Sequence, residues 1–137
     1  MLLNILRNLF TNTMNKNPQI LSPTDCTPEV ILDPQGIIKI TGRMIPVNAD
    51  KFFKPIDEWL KEYFSNPAHT TRIEICIDYV NSIGTKYLFD TLHKIANIKP
   101  RKEIIVNWYY NEDDEDTLDK GTLFSANIDV PFNLIRT

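Results

Sequence analysis

The sequence has little of what most metal-binding and disulfide-linked proteins require. It contains only two cysteines and two histidines among 137 residues. Cys26 and Cys76 stand alone rather than in a CxxC pair, so neither a disulfide framework nor a zinc site is indicated. We therefore expect both thiols to be reduced, as is usual in a cytoplasmic protein.

Glycine is equally scarce, and this bears on nucleotide binding. The four glycines are scattered along the chain, so neither GxGxxG nor GxxxxGK[ST] occurs. His69 and His93 have no nucleophile motif such as GxSxG beside them. The sequence therefore predicts no catalytic centre and no cofactor, and we interpret the chain as a non-enzymatic protein.

Positive charge is also limited. Fifteen Lys and Arg residues face eighteen Asp and Glu residues, which gives a formal net charge of −3. No basic cluster is present, although binding to a phosphate backbone requires one. Nucleic acid is consequently not an expected partner.

Long apolar runs are missing as well. Residues 1–13 are largely apolar, but Asn4, Arg7 and Asn8 interrupt them and no signal-peptide cleavage site follows. The segment is too short to span a membrane. It fits a short amphipathic helix that touches a partner or a membrane surface, unless translation starts at Met14.

What the sequence does contain is enough apolar material, 42% of the residues, for one packed domain. We predict a flexible extension over residues 1–26 and a folded domain over residues 27–137. Within that domain, Asp33-Pro34-Gln35-Gly36 has the composition of a tight turn between two strands.

Hydrophobic periodicity outlines the remaining elements. Period-two alternation predicts strands, and helical spacing predicts helices. In the first helix the apolar spacing begins at Phe52, with Asp50 as a possible N-cap, and Pro55 moves the regular start nearer Lys54. Ile73, Ile75, Ile77 and Tyr79 should share one strand face, and Ile83 should join the apolar stripe of the second helix. The predicted strands cover residues 29–32, 37–41, 72–80 and 103–110, the predicted helices cover 52–64, 83–96 and 117–125, and an extended tail covers 131–135. This order predicts a single α/β domain with a mixed sheet of about four to five strands backed by helices.

An acidic run, Asp113 to Asp116, offers two interpretations. Clustered carboxylates bind Ca²⁺ or Mg²⁺, which suggests a small metal-binding protein or enzyme as the alternative function. The run lacks the alternating ligands and the glycine of an EF-hand loop. Acidic residues also cap helix N-termini, and we favour this role, in which Asp113 and Asp114 are also free to face a basic partner.

Ser82 lies between an apolar strand and a predicted helix. Its simplest role is an N-cap, which the preceding Asn81 could share. A hydroxyl at such a corner is also accessible to modification, and a phosphate there would add about −1.5 to −2 charges. Thr85 is the competing acceptor. A structural subunit without any modification is a further possibility.

Several motifs together cover most of residues 27–135. They are TPEVILDPQG (27–36), Pro46-x-Asn48 followed by FFKPIDEWLKEYF (52–64), IDYVNSIGTK (77–86), NWYYNEDDEDTLDKG (107–121) and Pro131-Phe132. The most specific is the aromatic strand end with its acidic string. These motifs resemble those of the SiaC family of regulatory phosphoproteins.

The resemblance implies a STAS-like fold and a phosphorylated hydroxyl, here Ser82. It also implies a dedicated kinase, a PPM-type phosphatase, and a diguanylate cyclase that the unphosphorylated form binds and activates. Asn81, Ser82, Ile83, Lys86, Asp113 and Asp114 are the expected partner-binding residues. Ile83 and Gly84 stand where the family usually has further hydroxyl residues, and Val47 stands where it tends to have Glu.

Overall fold

The computed structural model describes residue 2 and residues 17–98 and 102–137. In chain order its elements are β1 (Gln19–Leu21), β2 (Glu29–Asp33), β3 (Ile37–Met44), α1 (Ala49–Tyr63), β4 (Thr70–Val80), α2 (Ser82–Ala96), β5 (Glu103–Tyr110), α3 (Glu115–Asn127) and β6 (Phe132–Arg136). The predicted α/β class is confirmed. Apart from Leu2, the predicted N-terminal helix falls outside the described residues. None of the described helices is long and apolar enough to cross a membrane.

The strands form one sheet in the order of the sequence, β1-β2-β3-β4-β5-β6. β1, β2 and β3 pair antiparallel, whereas β3 to β6 pair parallel through one helix at each connection. Within the described residues the sheet therefore has six strands, rather than the predicted four to five. The additional strands are β1, which begins within the predicted extension, and β6, which is the predicted tail. Both are short edge strands, whose sequences carry too few residues to show a periodicity.

The predicted hairpin joins β2 to β3. The N–H of Gly36 donates to the carbonyl of Asp33 at 2.9 Å, and Gly36 adopts a φ of +107°. A Cβ at this position would also lie 2.4 Å from the carbonyl oxygen of Thr70. Both the backbone conformation and the close approach of β4 therefore require glycine.

The helices α1, α2 and α3 cover one face of the sheet. Each parallel connection steps to the next strand in the same direction, and right-handed crossovers then place every helix on the same side. The burial of β4 agrees, because Ile73 and Ile75 are buried while the alternate residues Arg72 and Cys76 are exposed. The core lies between this face and the helices, and the opposite face is more polar.

α1 begins earlier than predicted. Its N-cap is Asn48, whose Oδ1 accepts a hydrogen bond from the N–H of Lys51 at 3.1 Å, so the prediction of Asp50 as N-cap was wrong. The helix starts at Ala49 instead of near Lys54, and it continues through Pro55. An exposed asparagine can complete a helix end that apolar periodicity alone does not show.

Among the four residues predicted to share one face of β4, Tyr79 differs from the other three, which are buried. The register between β3 and β4 shifts after Gly42, which pairs with Ile77, so that Arg43 pairs with Tyr79. This irregularity leaves Asp78 as an extra residue and breaks the alternation. Tyr79 is consequently 54% exposed at the end of the strand.

Candidate functional site

The loops that follow β3, β4 and β5 lie together at the carboxyl end of the sheet, because these strands run parallel. The first two loops are joined directly. The N–H of Asn81, just after β4, donates to the carbonyl of Met44, the last residue of β3, at 3.2 Å. We call the segment from Asn81 to Lys86, where β4 turns into α2, the Ser82 corner.

Asn81 is the N-cap of α2. Its Oδ1 accepts a hydrogen bond from the N–H of Gly84 at 2.8 Å, and its carbonyl accepts from the N–H of Thr85 at 2.8 Å. Ser82 is therefore the first residue of the helix, and Asn81 alone performs the capping that the sequence allowed either residue to perform. The hydroxyl of Ser82 is not used to complete the helix.

The two candidate hydroxyl groups differ in their environment. The side chain of Ser82 is exposed and makes no hydrogen bond to the described residues. The hydroxyl of Thr85 is half-buried and donates to the carbonyl of Asn81 at 2.8 Å. Of the two, only Ser82 offers an accessible oxygen that no intramolecular bond occupies.

Gly84 fixes how closely α2 approaches the sheet. A Cβ at this residue would lie 2.8 Å from the carbonyl oxygen of Met44 and 3.0 Å from Cγ2 of Val80. The absence of a side chain therefore lets the first turn of α2 rest on the ends of β3 and β4. A hydroxyl residue at this position would need the backbone to move apart.

Exposed apolar side chains flank the Ser82 corner. Ile83, which the helical pattern assigned to the core, is 54% exposed, so that prediction was wrong; Gly84 occupies the buried position instead. Val47, in the loop after β3, is 93% exposed. Tyr79 precedes the corner by two residues and Val47 follows Met44 by three, and we call the exposed side chains of Ile83, Tyr79 and Val47 the apolar rim. Lys86 adds an exposed positive charge one helical turn beyond Ser82. Sequence periodicity missed Val47 and Tyr79 because it treats apolar residues as core.

The amino ends of α1 and α2 are connected close to this corner. The hydroxyl of Tyr87 on α2 donates a short hydrogen bond to Oδ1 of Asp50 in the first turn of α1. This bond, together with burial and the negative charge of Asp50, raises the pKa of Tyr87. The phenol therefore stays protonated, and its hydrogen bond links α2 to the first turn of α1.

The acidic run begins in the loop after β5 and continues into the first turn of α3. It lies at the same end of the parallel strands as Ser82 but on a different connection. Asp114 is the N-cap of α3: its carboxylate accepts from the N–H of Thr117 at 3.0 Å and from the Thr117 hydroxyl at 2.6 Å. These two bonds lower the pKa of Asp114. α3 consequently starts at Glu115, ahead of the predicted start at residue 117, and Asp113 remains exposed.

The six residues that were predicted to bind a partner differ in their exposure. Ser82, Ile83 and Lys86 are exposed on the Ser82 corner, and Asp113 is exposed on the loop after β5. Asn81 and Asp114 are half-buried and serve as helix caps. Within the described ranges, no group of three or more His, Cys, Asp or Glu residues could hold a metal ion.

Comparison with known proteins gives a consistent result. The model of the family described as SiaC family regulatory phosphoprotein matches residues 21–137. The fold is similar to SiaC of Pseudomonas aeruginosa, with a TM-score of 0.78 and 18% sequence identity, over 88% of this chain and 99% of that chain. Among curated protein sequences, none matches this chain.

Two further solved structures are similar in fold. One is the diguanylate cyclase SiaD in complex with its activator SiaC from Pseudomonas aeruginosa (TM-score 0.79, 19% identity, 87% of this chain and 99% of that chain). The other is apo-SiaC from the same organism (TM-score 0.77, 18% identity, 87% and 98%). At these identities the likeness concerns the fold alone.

Proposed function

Because this chain belongs to the SiaC family of regulatory phosphoproteins, we propose that it is a non-enzymatic protein-binding switch that phosphorylation of Ser82 turns off. The carrying observation is the state of the Ser82 hydroxyl. It is exposed at the first position of α2, and Asn81 has already satisfied the cap, so modification removes no intramolecular bond.

The surroundings favour a phosphate on this oxygen. The N–H groups in the first turn of a helix carry partial positive charge, which favours an anion at the helix N-terminus. Lys86 lies four residues further on and faces the same side of α2, where its ammonium group can pair with the phosphate. The phosphorylated form should therefore keep the fold while its surface changes.

The change in surface explains the switch. In the unmodified protein, the Ser82 corner presents a small hydroxyl beside the exposed side chains of Ile83, Tyr79 and Val47. A partner that packs against this apolar rim buries the corner. A dianion placed there would have to be desolvated in the interface, which costs far more than a hydroxyl does. Binding and phosphorylation are thus mutually exclusive.

The partner that we propose is a diguanylate cyclase. A protein of the same fold has been solved as the activator of such an enzyme, and the family-like motifs led to the same expectation. In this proposal the unphosphorylated chain binds and activates the cyclase and so raises cyclic-di-GMP. A kinase adds the phosphate and a PPM-type phosphatase removes it.

Asp113, exposed on the neighbouring loop, extends the proposed surface and favours a basic region on the partner. Asn81 and Asp114 take part only indirectly, since they hold the two loops in place. Cys26 and Cys76 are free thiols, which agrees with a cytoplasmic protein.

The proposal is tested by measuring cyclase activation with three variants of the full chain. Ser82→Ala should still activate the cyclase but accept no phosphate, and Ser82→Asp should fail to activate it. Thr85→Val is the matched control, because it removes the competing hydroxyl; it should still be phosphorylated and should still respond to the kinase.

Intact-mass and peptide mapping of the phosphorylated protein complete the test. The phosphate should map to Ser82. A phosphate on Thr85, or a Ser82→Asp variant that activates the cyclase as well as the unmodified protein does, would refute the assignment of Ser82 as the switch.

A further inference from the structure

β6 (Phe132–Arg136) ends the sheet and has no neighbour on its outer side among the described strands. The two backbone hydrogen bonds at its ends define which groups point outward. The N–H of Val106 donates to the carbonyl of Pro131 at 2.9 Å, and the N–H of Thr137 donates to the carbonyl of Tyr110 at 2.9 Å. In a parallel ladder the residues that bond to the neighbour alternate along the strand.

It follows that residues 131, 133, 135 and 137 direct their backbone groups towards β5. The N–H and C=O groups of Phe132, Leu134 and Arg136 therefore point away from the sheet. The side chain of Leu134 is 36% exposed at the same edge, and Phe132 is half-buried beside it. The outer edge of β6 thus combines unused backbone groups with apolar side chains, which is the usual requirement for strand addition.

The opposite edge of the sheet is built differently. β1 has only three residues, and Pro18 and Pro23 stand close to its two ends. Short length and proline are common means by which proteins block pairing at an edge strand. β6 is longer, with five residues, and Arg136 is its one charged residue. Pro131 precedes it, but the backbone of Pro131 faces β5 and not the outer edge. Of the two edges, β6 is the one open to pairing.

We propose that two copies of this chain associate through their β6 strands, which pair antiparallel about a two-fold axis at Leu134. In this register each Leu134 exchanges both of its backbone hydrogen bonds with Leu134 of the other copy. Phe132 of one copy does the same with Arg136 of the other. Every outward N–H and C=O group of the three residues then has a partner.

The side chains are compatible with this pairing. Residues 132, 134 and 136 share the helix-covered side of the sheet, because Leu134 pairs with buried Trp108. Leu134 therefore meets Leu134 across the axis, and each Arg136 faces the ring of Phe132. A parallel pairing would instead stagger the two strands by one residue, because residue i bonds to residues j−1 and j+1 of its neighbour, and no two-fold axis would then relate the copies.

The contact involves only a short strand from each copy, so the affinity should be weak and the dimer should form only at high protein concentration. It does not depend on the role of Ser82, because β6 is separated from β4 and α2 by β5. Association through β6 would leave both Ser82 corners accessible. One dimer would therefore carry two switches.

Residue-resolved amide exchange of the full chain tests this pairing without any substitution. As the protein concentration rises, the N–H groups of Phe132, Leu134 and Arg136 should become protected. Those of Asn133 and Ile135 should be protected at every concentration, since they bond to β5. Sedimentation velocity should show a monomer that converts to a dimer over the same range.

Two matched variants complete the test. Leu134→Lys places a charge at the proposed axis and should leave a monomer at all concentrations. Ile20→Lys places the same charge on β1, where Ile20 is 58% exposed, and should dimerise as the unmodified protein does. Circular dichroism verifies that both variants are folded.

Three results would overturn the proposal. The first is a monomer at every concentration with exchanging amides at Phe132, Leu134 and Arg136. The second is a dimer in which these amides stay unprotected. The third is a dimer that Ile20→Lys abolishes. Because the exchange pattern is measured on the unmodified protein, the proposal can be refuted even if Leu134→Lys fails to fold.

Discussion

At the scale of single residues, two neighbours at the Ser82 corner have separate roles: one caps a helix, and the other is the proposed site of phosphorylation. Asn81 supplies the oxygen that caps α2, and Ser82 supplies an oxygen that nothing in the described fold uses. A residue that carries a regulatory group benefits from this separation, because modification can then alter binding without altering stability. Two stability predictions follow at this scale.

Asn81→Ala should lower the free energy of unfolding by about 1 kcal/mol, because the N–H of Gly84 loses its acceptor. Urea titration followed by circular dichroism measures the change. Ser82→Ala is the matched control, and we expect it to remain within about 0.5 kcal/mol of the unmodified protein. Equal losses in the two variants would mean that Ser82 also supports the fold.

Phosphorylated Ser82 should leave the protein as stable as before, or more stable by about 0.3–1 kcal/mol, because the phosphate lies at a helix N-terminus. The gain should shrink in high salt, which screens exposed charges. Urea titrations of the two forms at low and high salt provide the measurement. Lys86→Ala should reduce the gain, and marked destabilisation by the phosphate would contradict this account of the corner.

At the scale of secondary-structure elements, helix ends are where the sequence was hardest to interpret. α1, α2 and α3 all begin at an Asn or Asp whose side chain accepts from an N–H three residues later. Each cap makes local hydrogen bonds that apolar periodicity does not reveal. The predicted start was late for α1, whose cap was assigned to Asp50, and for α3, although the capping role favoured for the acidic run is confirmed by Asp114. For α2 the sequence left the cap open between Asn81 and Ser82.

The start of α3 should be sensitive to acid. The pKa of Asp114 in the folded chain lies below its ordinary value of 3.8, because the bonds from Thr117 favour the carboxylate. The charged cap therefore stabilises the fold above that pH, and the stabilisation is lost as the pH falls through the folded pKa. Asp114→Ala should cost about 1 kcal/mol at neutral pH.

The stability difference between Asp114→Ala and the unmodified protein should then narrow as the pH is lowered below 3.8. Urea titrations at a series of pH values measure this difference. Asp113→Ala is the control, since Asp113 is exposed and does not cap the helix; its effect should be small throughout. A difference that widens in acid would contradict the capping role of Asp114.

The packing of α2 against the sheet gives a second prediction at this scale. Gly84→Ala should destabilise the protein by about 1–3 kcal/mol, because the new methyl group would overlap the carbonyl of Met44. This outcome opposes helix propensity, which favours Ala over Gly by about 1 kcal/mol. Thermal unfolding measures it, and Lys86→Ala on the exposed side of α2 is the control. A stabilised Gly84→Ala variant would show that the contact relaxes easily.

At the scale of the whole molecule, the sheet separates two proposed surfaces. The Ser82 corner lies at the carboxyl edge of β4, and the outer edge of β6 lies two strands away. Sites without shared contacts usually act independently in energy. Partner binding at one surface and self-association at the other should therefore not compete.

This independence can be tested with one pair of substitutions. Leu134→Lys should abolish the dimer but retain activation of the cyclase by each chain, and Ser82→Asp should abolish activation but retain the dimer. Sedimentation and cyclase assays on the single and double variants provide the comparison. Loss of activation in Leu134→Lys, with its fold intact, would show that the two surfaces are coupled.

The sequence was sufficient for features that local chemistry decides. Asp33-Pro34-Gln35-Gly36 makes its turn from its own backbone preferences, and the alternation at Ile73 and Ile75 marks the apolar face of a strand. The motifs also led to the correct family, because NWYYNEDDED is an unusual combination of an aromatic strand end and an acidic run.

Tertiary structure alone decided the features that depend on distant neighbours. Tyr79 and Ile83 became exposed because a register shift against β3 and the close packing of Gly84 turned them outward. β1 and β6 became strands because partners across the sheet supplied hydrogen bonds that three or five residues cannot form within themselves. Whether the oxygen of Ser82 is free likewise depends on a cap that Asn81 could have shared with it. Local preference could not decide between the two residues; the packed backbone of α2 did.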